Sequence, residues 1–168
     1  MVLAASLIFP AKAEQAPPVD ACAMLTAEDI AAVTGRKVGS PMRNGGGSTT
    51  ADSYSSTCVW RLPADADDAA TDAPLHGSNY AMLNAWSWVP GSDGPKRFLQ
   101  EFRDAAANNL IDMKPVPLEI GDEALYWGDG VAMRKGRMSF GISVHLVGGK
   151  PTEQTMESAL ARKILSRL

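Results

Sequence analysis

No apolar run in this sequence approaches the roughly 20 residues needed to span a bilayer, so no transmembrane segment is expected in the mature chain. Positive charge is also in short supply: 16 Lys and Arg face 19 Asp and Glu, for a net charge of −3. A nucleic-acid partner is disfavoured on that count, because such domains carry a clustered positive field. Cysteine and histidine number two each, and neither His sits at ligand spacing from a Cys. There are too few thiols for a four-Cys zinc site, and no metal or cofactor is expected. What is present is ordinary for a globular protein: 45% hydrophobic and 21% charged residues, with four Trp, three Tyr and four Phe. That aromatic content is too high for a disordered tail. A chain of 168 residues suits one domain that buries roughly two-thirds of its unfolded surface.

Residues 2–9 form a short apolar run, followed by Pro10 and Ala11-Lys12-Ala13, the layout of a secretory signal and its A-x-A cleavage site. Residues 1–13 are therefore expected to be a signal peptide, and residues 14–20, with Pro17 and Pro18, an extended linker. The basic stretch that opens such signals is missing, so either the start lies upstream of Met1 or the chain is truncated there. The competing interpretation of the apolar run is a short buried strand. Cys22 and Cys58, an even pair in an exported chain, are expected to form a disulfide across 36 positions. In the chain-entropy model a loop of that size is worth roughly 3–4 kcal/mol. A polar, Pro-rich spacer separates Cys22 from the apolar run, which argues against lipid attachment there. A soluble periplasmic or secreted protein is expected.

Residues 21–168 read as a single α+β domain. Thr26 is placed to cap a helix, with Glu28 and Asp29 in its first turn and Gly35 at its stop. Residues 40–56 are rich in Gly and Ser, lack the Lys-Ser/Thr ending of a phosphate-binding loop, and read as a mobile loop. Cys58, Trp60 and Leu62 alternate on one strand, and Tyr80, Met82, Asn84, Trp86 and Trp88 on a second. Between them, Asp65, Asp67, Asp68 and Asp72 fail as a calcium loop, because Ala70 stands where Gly is needed and His76 where Glu is needed. Ser92 to Pro95 opens a helix whose stripe is Phe98, Leu99, Phe102, Ala106 and Leu110. Short strands then flank turns at Gly128-Asp129-Gly130 and Lys135-Gly136. Met138, Phe140, Ile142, Val144 and Leu146 alternate along the longest strand. A last helix, capped by Thr152, carries Met156, Leu160, Ile164 and Leu168 in one stripe. The expected architecture is an antiparallel sheet of about five strands with helices packed on one face, in the order α-β-β-α-β-β-β-α.

Three patches carry a resemblance: Asp20-Ala21-Cys22-Ala23-Met24-Leu25-Thr26 running into Asp29-Ile30, the Cys58-Val59-Trp60 strand, and Leu118-Glu119-Ile120-Gly121-Asp122-Glu123-Ala124. The last is followed by a strand, a Lys-Gly turn, a strand and an Ala/Leu-rich terminal helix. Together these features, spread over most of residues 20–168, resemble a group of small secreted and lipoprotein domains of unknown function common in actinobacteria. The extracellular sensor domains of some mycobacterial serine/threonine kinases look related. The resemblance implies an exported, disulfide-linked α/β sandwich that binds or senses. It carries no catalytic residue across, and the lipid-attachment site of many members is missing here.

Candidate chemistry is sparse. Ser139, Gly141, Ser143 and His145 share the face of the longest strand opposite its apolar one, which puts Ser143 and His145 about 7 Å apart along the strand. That is too far for a direct hydrogen bond unless the side chains lean together, and no Gly-x-Ser-x-Gly elbow supports a hydrolase. Such a face of small residues with one His can still floor a shallow groove. Glu119, Asp122 and Glu123 surround a turn, which explains them better than paired glycosidase carboxylates do. His76 has no partner nearby in the sequence. Trp86 and Trp88 share a face with Tyr80, Trp88 lies at a strand end, and Tyr126-Trp127 precedes a turn. Core packing explains most such stripes, yet aromatic residues at loop rims also stack ligands and anchor partners. The expected binding site is therefore Trp86, Trp88, Tyr126, Trp127 and His145, with no catalytic residue assigned. The leading expectation is an exported, non-catalytic binding or sensor-like domain for an unknown small molecule or protein. The alternatives are a small periplasmic hydrolase using His145 and a protein-interaction or inhibitor subunit.

Overall fold

The three alternating segments and the two short strands beside the turns are realised as strands of one antiparallel sheet, and two further segments join it. The computed structural model describes residues 14–63, 79–147 and 150–168. The strands are β1 (Met42–Thr49), β2 (Ser53–Arg61), β3 (Tyr80–Trp88), β4 (Val116–Leu118), β5 (Glu123–Tyr126), β6 (Val131–Lys135) and β7 (Met138–His145). Their spatial order is β1-β2-β3-β7-β6-β5-β4, every neighbouring pair antiparallel. The helices are α1 (Ala21–Met24), α2 (Ala27–Thr34), α3 (Gly94–Ala107) and α4 (Lys150–Leu165). The class is α+β with an antiparallel sheet, as expected, but seven strands replace the five anticipated. The order becomes α-α-β-β-β-α-β-β-β-β-α.

Of the two additional strands, β4 lies within residues 115–120, a segment whose sequence reads as extended, and β1 lacks the signal that marks the others. β1 occupies the Gly- and Ser-rich segment that reads as a loop. It is an edge strand held to β2 by main-chain pairing, with a register break between Asn44 and Ser48. A backbone ladder needs no apolar side chains, so hydrophobic periodicity does not reveal it. β4, three residues long, forms the opposite edge.

One face of the sheet is covered by α1, α2 and α4. Trp60, Leu83, Phe140 and Ile142 pack there against Ile30, Leu160 and Ile164. The Cys22–Cys58 disulfide, with Cα atoms 5.1 Å apart, joins α1 to β2 within this layer. Thr26 and Asp29 form a reciprocal capping box, and Gly35 ends α2 in the left-handed conformation at φ 67°. Burial opposes ionisation of Asp29, but the Thr26 N–H and the Arg167 guanidinium, 2.6 Å away, outweigh it and hold the carboxyl down to about 2. Residues 14–20 lie along the domain, with Ala16 and Val19 buried and the Ser87 hydroxyl donating to the Pro17 carbonyl.

The expectation that all helices share one face is wrong, because α3 lies on the other. Successive strand residues point to opposite faces: Ala124 and Met133 join the α4 side, while Leu125 and Ala132 pack on Phe98 and Leu99 of α3. Ion pairs anchor α3 at both ends. Arg97 meets Asp52 at 2.8 Å near its start, and Arg103 meets Glu123, which Arg134 also holds at 3.0 Å, nearer its end. Leu110, expected on the α3 stripe, lies beyond the helix and is 77% exposed. Leu168 likewise falls beyond α4, which begins at Lys150 rather than after Thr152. The signal peptide read over residues 1–13, the acidic stretch from Asp65 to Asp72, and His76 lie outside the described residues. Among those described, no helix is long and apolar enough to cross a membrane.

Candidate functional site

On the outer face α3 packs over β5 and β6, and beside it, over β3 and β7, runs a groove of about 470 Å³. The two-residue strand period builds its floor. Tyr80, Met82, Asn84 and Trp86 of β3 and Gly141, Ser143 and His145 of β7 all point this way, because their neighbours are committed to the core behind. One wall is a run of rings from three elements. Trp86 and Phe98 have centroids 4.8 Å apart, Phe98 meets Phe102 edge-on at 5.4 Å, and Phe102 meets Trp127 at 5.4 Å. Six residues along β3 from Trp86, roughly 20 Å, Tyr80 stacks on His145 at 5.4 Å.

Polar groups are set among these rings. Thr57 donates its hydroxyl to Asn84 Oδ1 at 2.6 Å, so the Asn84 amide nitrogen lies toward the floor beside Gly141. Gly130 is needed at the turn after Trp127. A Cβ there would sit 2.6 Å from the Ile142 carbonyl oxygen, 2.7 Å from Ser143 Oγ and 3.1 Å from Trp127 Nε1. The absence of that atom lets the indole N–H edge and the Ser143 hydroxyl converge at the groove.

Two buried glutamates from α4 reach the same end of β7. β6 starts at Val131, opposite Ile142, so β7 beyond that point has no β6 partner. Glu157 Oε1 accepts the Val144 N–H at 2.9 Å, and Glu153 Oε1 accepts the Leu146 N–H at 2.8 Å, supplying the acceptors the short strand does not. Glu153 also lines the groove, as does Asp129. Burial pushes the Glu157 carboxyl up to about 8; the Val144 N–H opposes this, and the Glu153 and Asp129 charges add to it. Its second oxygen is buried and has no hydrogen-bond partner among the described residues. The Tyr80 phenol is pushed up by burial and then by the charges of Asp129 and Glu153.

Three of the five residues expected to form the site meet in this groove: Trp86, Trp127 and His145. Trp88 does not line it. Its ring packs against the start of α3, where a Cβ on Gly94 would collide with it, and its indole N–H donates to Ser139 at 3.1 Å. Tyr126 faces the α4 side, with its hydroxyl donating to the Gly128 carbonyl. Sequence reasoning had put Ser143 and His145 on one face, and both line the groove. No hydrogen bond joins them among the described residues, where no group of three metal-ligating side chains occurs either. Helical spacing accounts for Phe98 and Phe102 as core alone, and the strand face, the turn and the helix start that hold Asn84, Asp129 and Glu153 give no sign of a site. Their convergence depends on which face α3 takes and where α4 begins, which no local pattern encodes.

A larger crevice of about 660 Å³ lies at the C-terminal end of α3, lined by Arg103, Asn109, Met113, Lys114 and Pro117 among others. No aromatic residue is among its described lining residues, so size alone does not make it the better candidate. In comparisons with known proteins the chain matches no family model, no curated protein and no solved structure.

Proposed function

We propose that this domain is an exported, non-catalytic binding or sensor-like module whose ligand lies in the groove over β3 and β7. The observation that carries the reading is the continuous ring wall Trp86–Phe98–Phe102–Trp127 facing a floor of small and polar residues. Aromatic faces with a few convergent hydrogen-bonding groups are the usual make-up of small-molecule sites. Export is supported by the Cys22–Cys58 disulfide, which is compatible with an extracellular location, and by the signal-like residues 1–13. The resemblance to actinobacterial secreted and sensor domains points the same way.

A hydrolase using His145 is the second reading, favoured by the shared groove position of Ser143 and His145. Against it, the His145 ring stacks on Tyr80, and among the described residues no carboxylate is hydrogen-bonded to it to orient it as a general base. Trp127→Ala tests the proposal. In a ligand screen read by melting temperature, the wild-type protein shows a ligand-dependent rise that Trp127→Ala loses, while Trp88→Phe, outside the groove, retains it. Turnover abolished by His145→Ala would replace the binding reading with the hydrolase.

A further inference from the structure

We infer that the groove's ligand is an organic cation with a flat apolar body, its charge held at the Glu153 end and its body against the Trp86 and Trp127 rings. This rests on the binding reading above and names the ligand class. The groove's volume, about 470 Å³, falls in the range of small-ligand sites. One wall carries four aromatic rings, and the quadrupole of such a ring attracts a cation seated on its face. The Glu153 carboxylate lines it, and no Lys or Arg is among its described lining residues.

Glu153 is placed for such a role. It is only 5% exposed, and the Leu146 N–H fixes one oxygen at 2.8 Å, so the side chain is positioned before any ligand arrives. Groups around it respond to the field of its negative charge: Tyr80 in the groove and Glu157 behind it are both shifted upward by burial first, with the Glu153 charge adding to the shift. A carboxylate ligand would add charge to that field; an ammonium would relieve it. Asn84 and Ser143 supply neutral hydrogen-bonding groups along the floor and favour neither sign.

The test uses three probes with one phenyl body and different heads: 2-phenylethylamine, 2-phenylethanol and 3-phenylpropionate. Each is titrated calorimetrically into the oxidised full chain. The amine is expected to bind about tenfold more tightly than the alcohol, and the carboxylate most weakly. Glu153→Gln keeps an oxygen for the Leu146 N–H, so the fold is retained, and brings the amine's affinity down to that of the alcohol. Glu28→Gln makes the same charge change on the exposed side of α2 and leaves the tenfold preference intact. An amine preference that survives Glu153→Gln, or falls equally in Glu28→Gln, overturns the inference. Binding of the alcohol with no gain for the amine, or a preference for the carboxylate, sinks the charge inference and leaves the binding reading standing. Failure of all three probes at millimolar concentration sinks both.

Discussion

The two faces of this sheet are built differently. On the inner face three helices close over a continuous apolar layer, from Cys58 and Trp60 through Leu83 and Phe140 to Leu160 and Ile164. Among the described residues the outer face has one helix, α3, and its buried cluster is small: Phe98, Leu99, Leu125 and Ala132. Beside that cluster Trp86, Trp127 and His145 are only partly buried along the groove. The inner face therefore supplies most of the stability, while the outer keeps apolar and polar groups available to a ligand. Substitutions on the two faces are expected to separate stability from binding, and the cases below run from the largest effect on stability to the smallest.

The Cys22–Cys58 bond belongs wholly to the inner face, where it ties α1 to β2. The double substitution Cys22→Ser, Cys58→Ser is expected to cost roughly 3–4 kcal/mol by chain entropy, read as a lower urea midpoint, with a steeper slope because the unfolded chain loses its cross-link. Where the variant remains folded, groove affinity should match the wild type. A loss of affinity beyond the unfolded fraction would show that the two faces are coupled through β2 and β3.

Glu157 stands between the faces, rooted in α4 yet bonded to the strand that floors the groove. Its folded-state pKa of about 8 lies above its ordinary value of 4.5. Below about 4.5 the carboxyl is protonated in both states, and its contribution to stability is intact. As the pH rises, the unfolded chain ionises first, so stability falls through this window and levels off above about 8. Glu157→Gln keeps the acceptor for Val144 and cannot ionise, so its urea midpoint should decline less between these limits, by a difference on the order of a few kcal/mol. Parallel pH profiles for the two proteins would mean that the carboxyl is not held neutral in the fold. Asp29 works in the opposite direction. Its carboxyl, held down to about 2, adds stability above its ordinary value of 3.8 that is lost as the pH falls through the lower one. The two groups therefore act in separate pH ranges.

The inner face was largely legible in the sequence, and the outer was not. Strict alternation in β7, the Thr26–Asp29 cap with its closing Gly35, and the single cysteine pair each depend on local spacing or on there being one choice. Alternation in β3 separated two faces correctly, but it cannot say which helix covers which. The placement of α3 is a tertiary outcome, and it decided the fate of Trp88, whose ring the start of that helix covers. Tyr126 was within reach of a stricter argument. It and Trp127 are adjacent at the end of a strand, so the period of two sends them to opposite faces, and only one can line a given groove. β1 left no trace, because its Gly- and Ser-rich sequence pairs through the backbone alone.

Gly141 offers the smallest expected effect on stability and the sharpest separation of the two faces. It lies mid-strand in β7, opposite Asn84 on β3 and Ala132 on β6, with its missing side chain directed at the groove. A Cβ there would meet Asn84 Cβ at 3.8 Å, Asn84 Nδ2 at 3.9 Å and Phe98 Cζ at 3.9 Å, all ordinary contacts. Gly141→Ala is therefore accommodated without displacing backbone. It also removes the entropic cost of a glycine within a strand, so stability should stay within about 1 kcal/mol of wild type or rise slightly. The added methyl occupies the floor between Asn84 and Phe98, where a flat ligand would rest, and Gly141→Val fills more of the same space. Affinity for whichever phenyl probe binds should fall from wild type to Ala to Val while the urea midpoint hardly moves. If affinity is unchanged in both variants, the ligand does not lie on this floor. If the midpoint falls with affinity, the outer face contributes to folding as the inner one does.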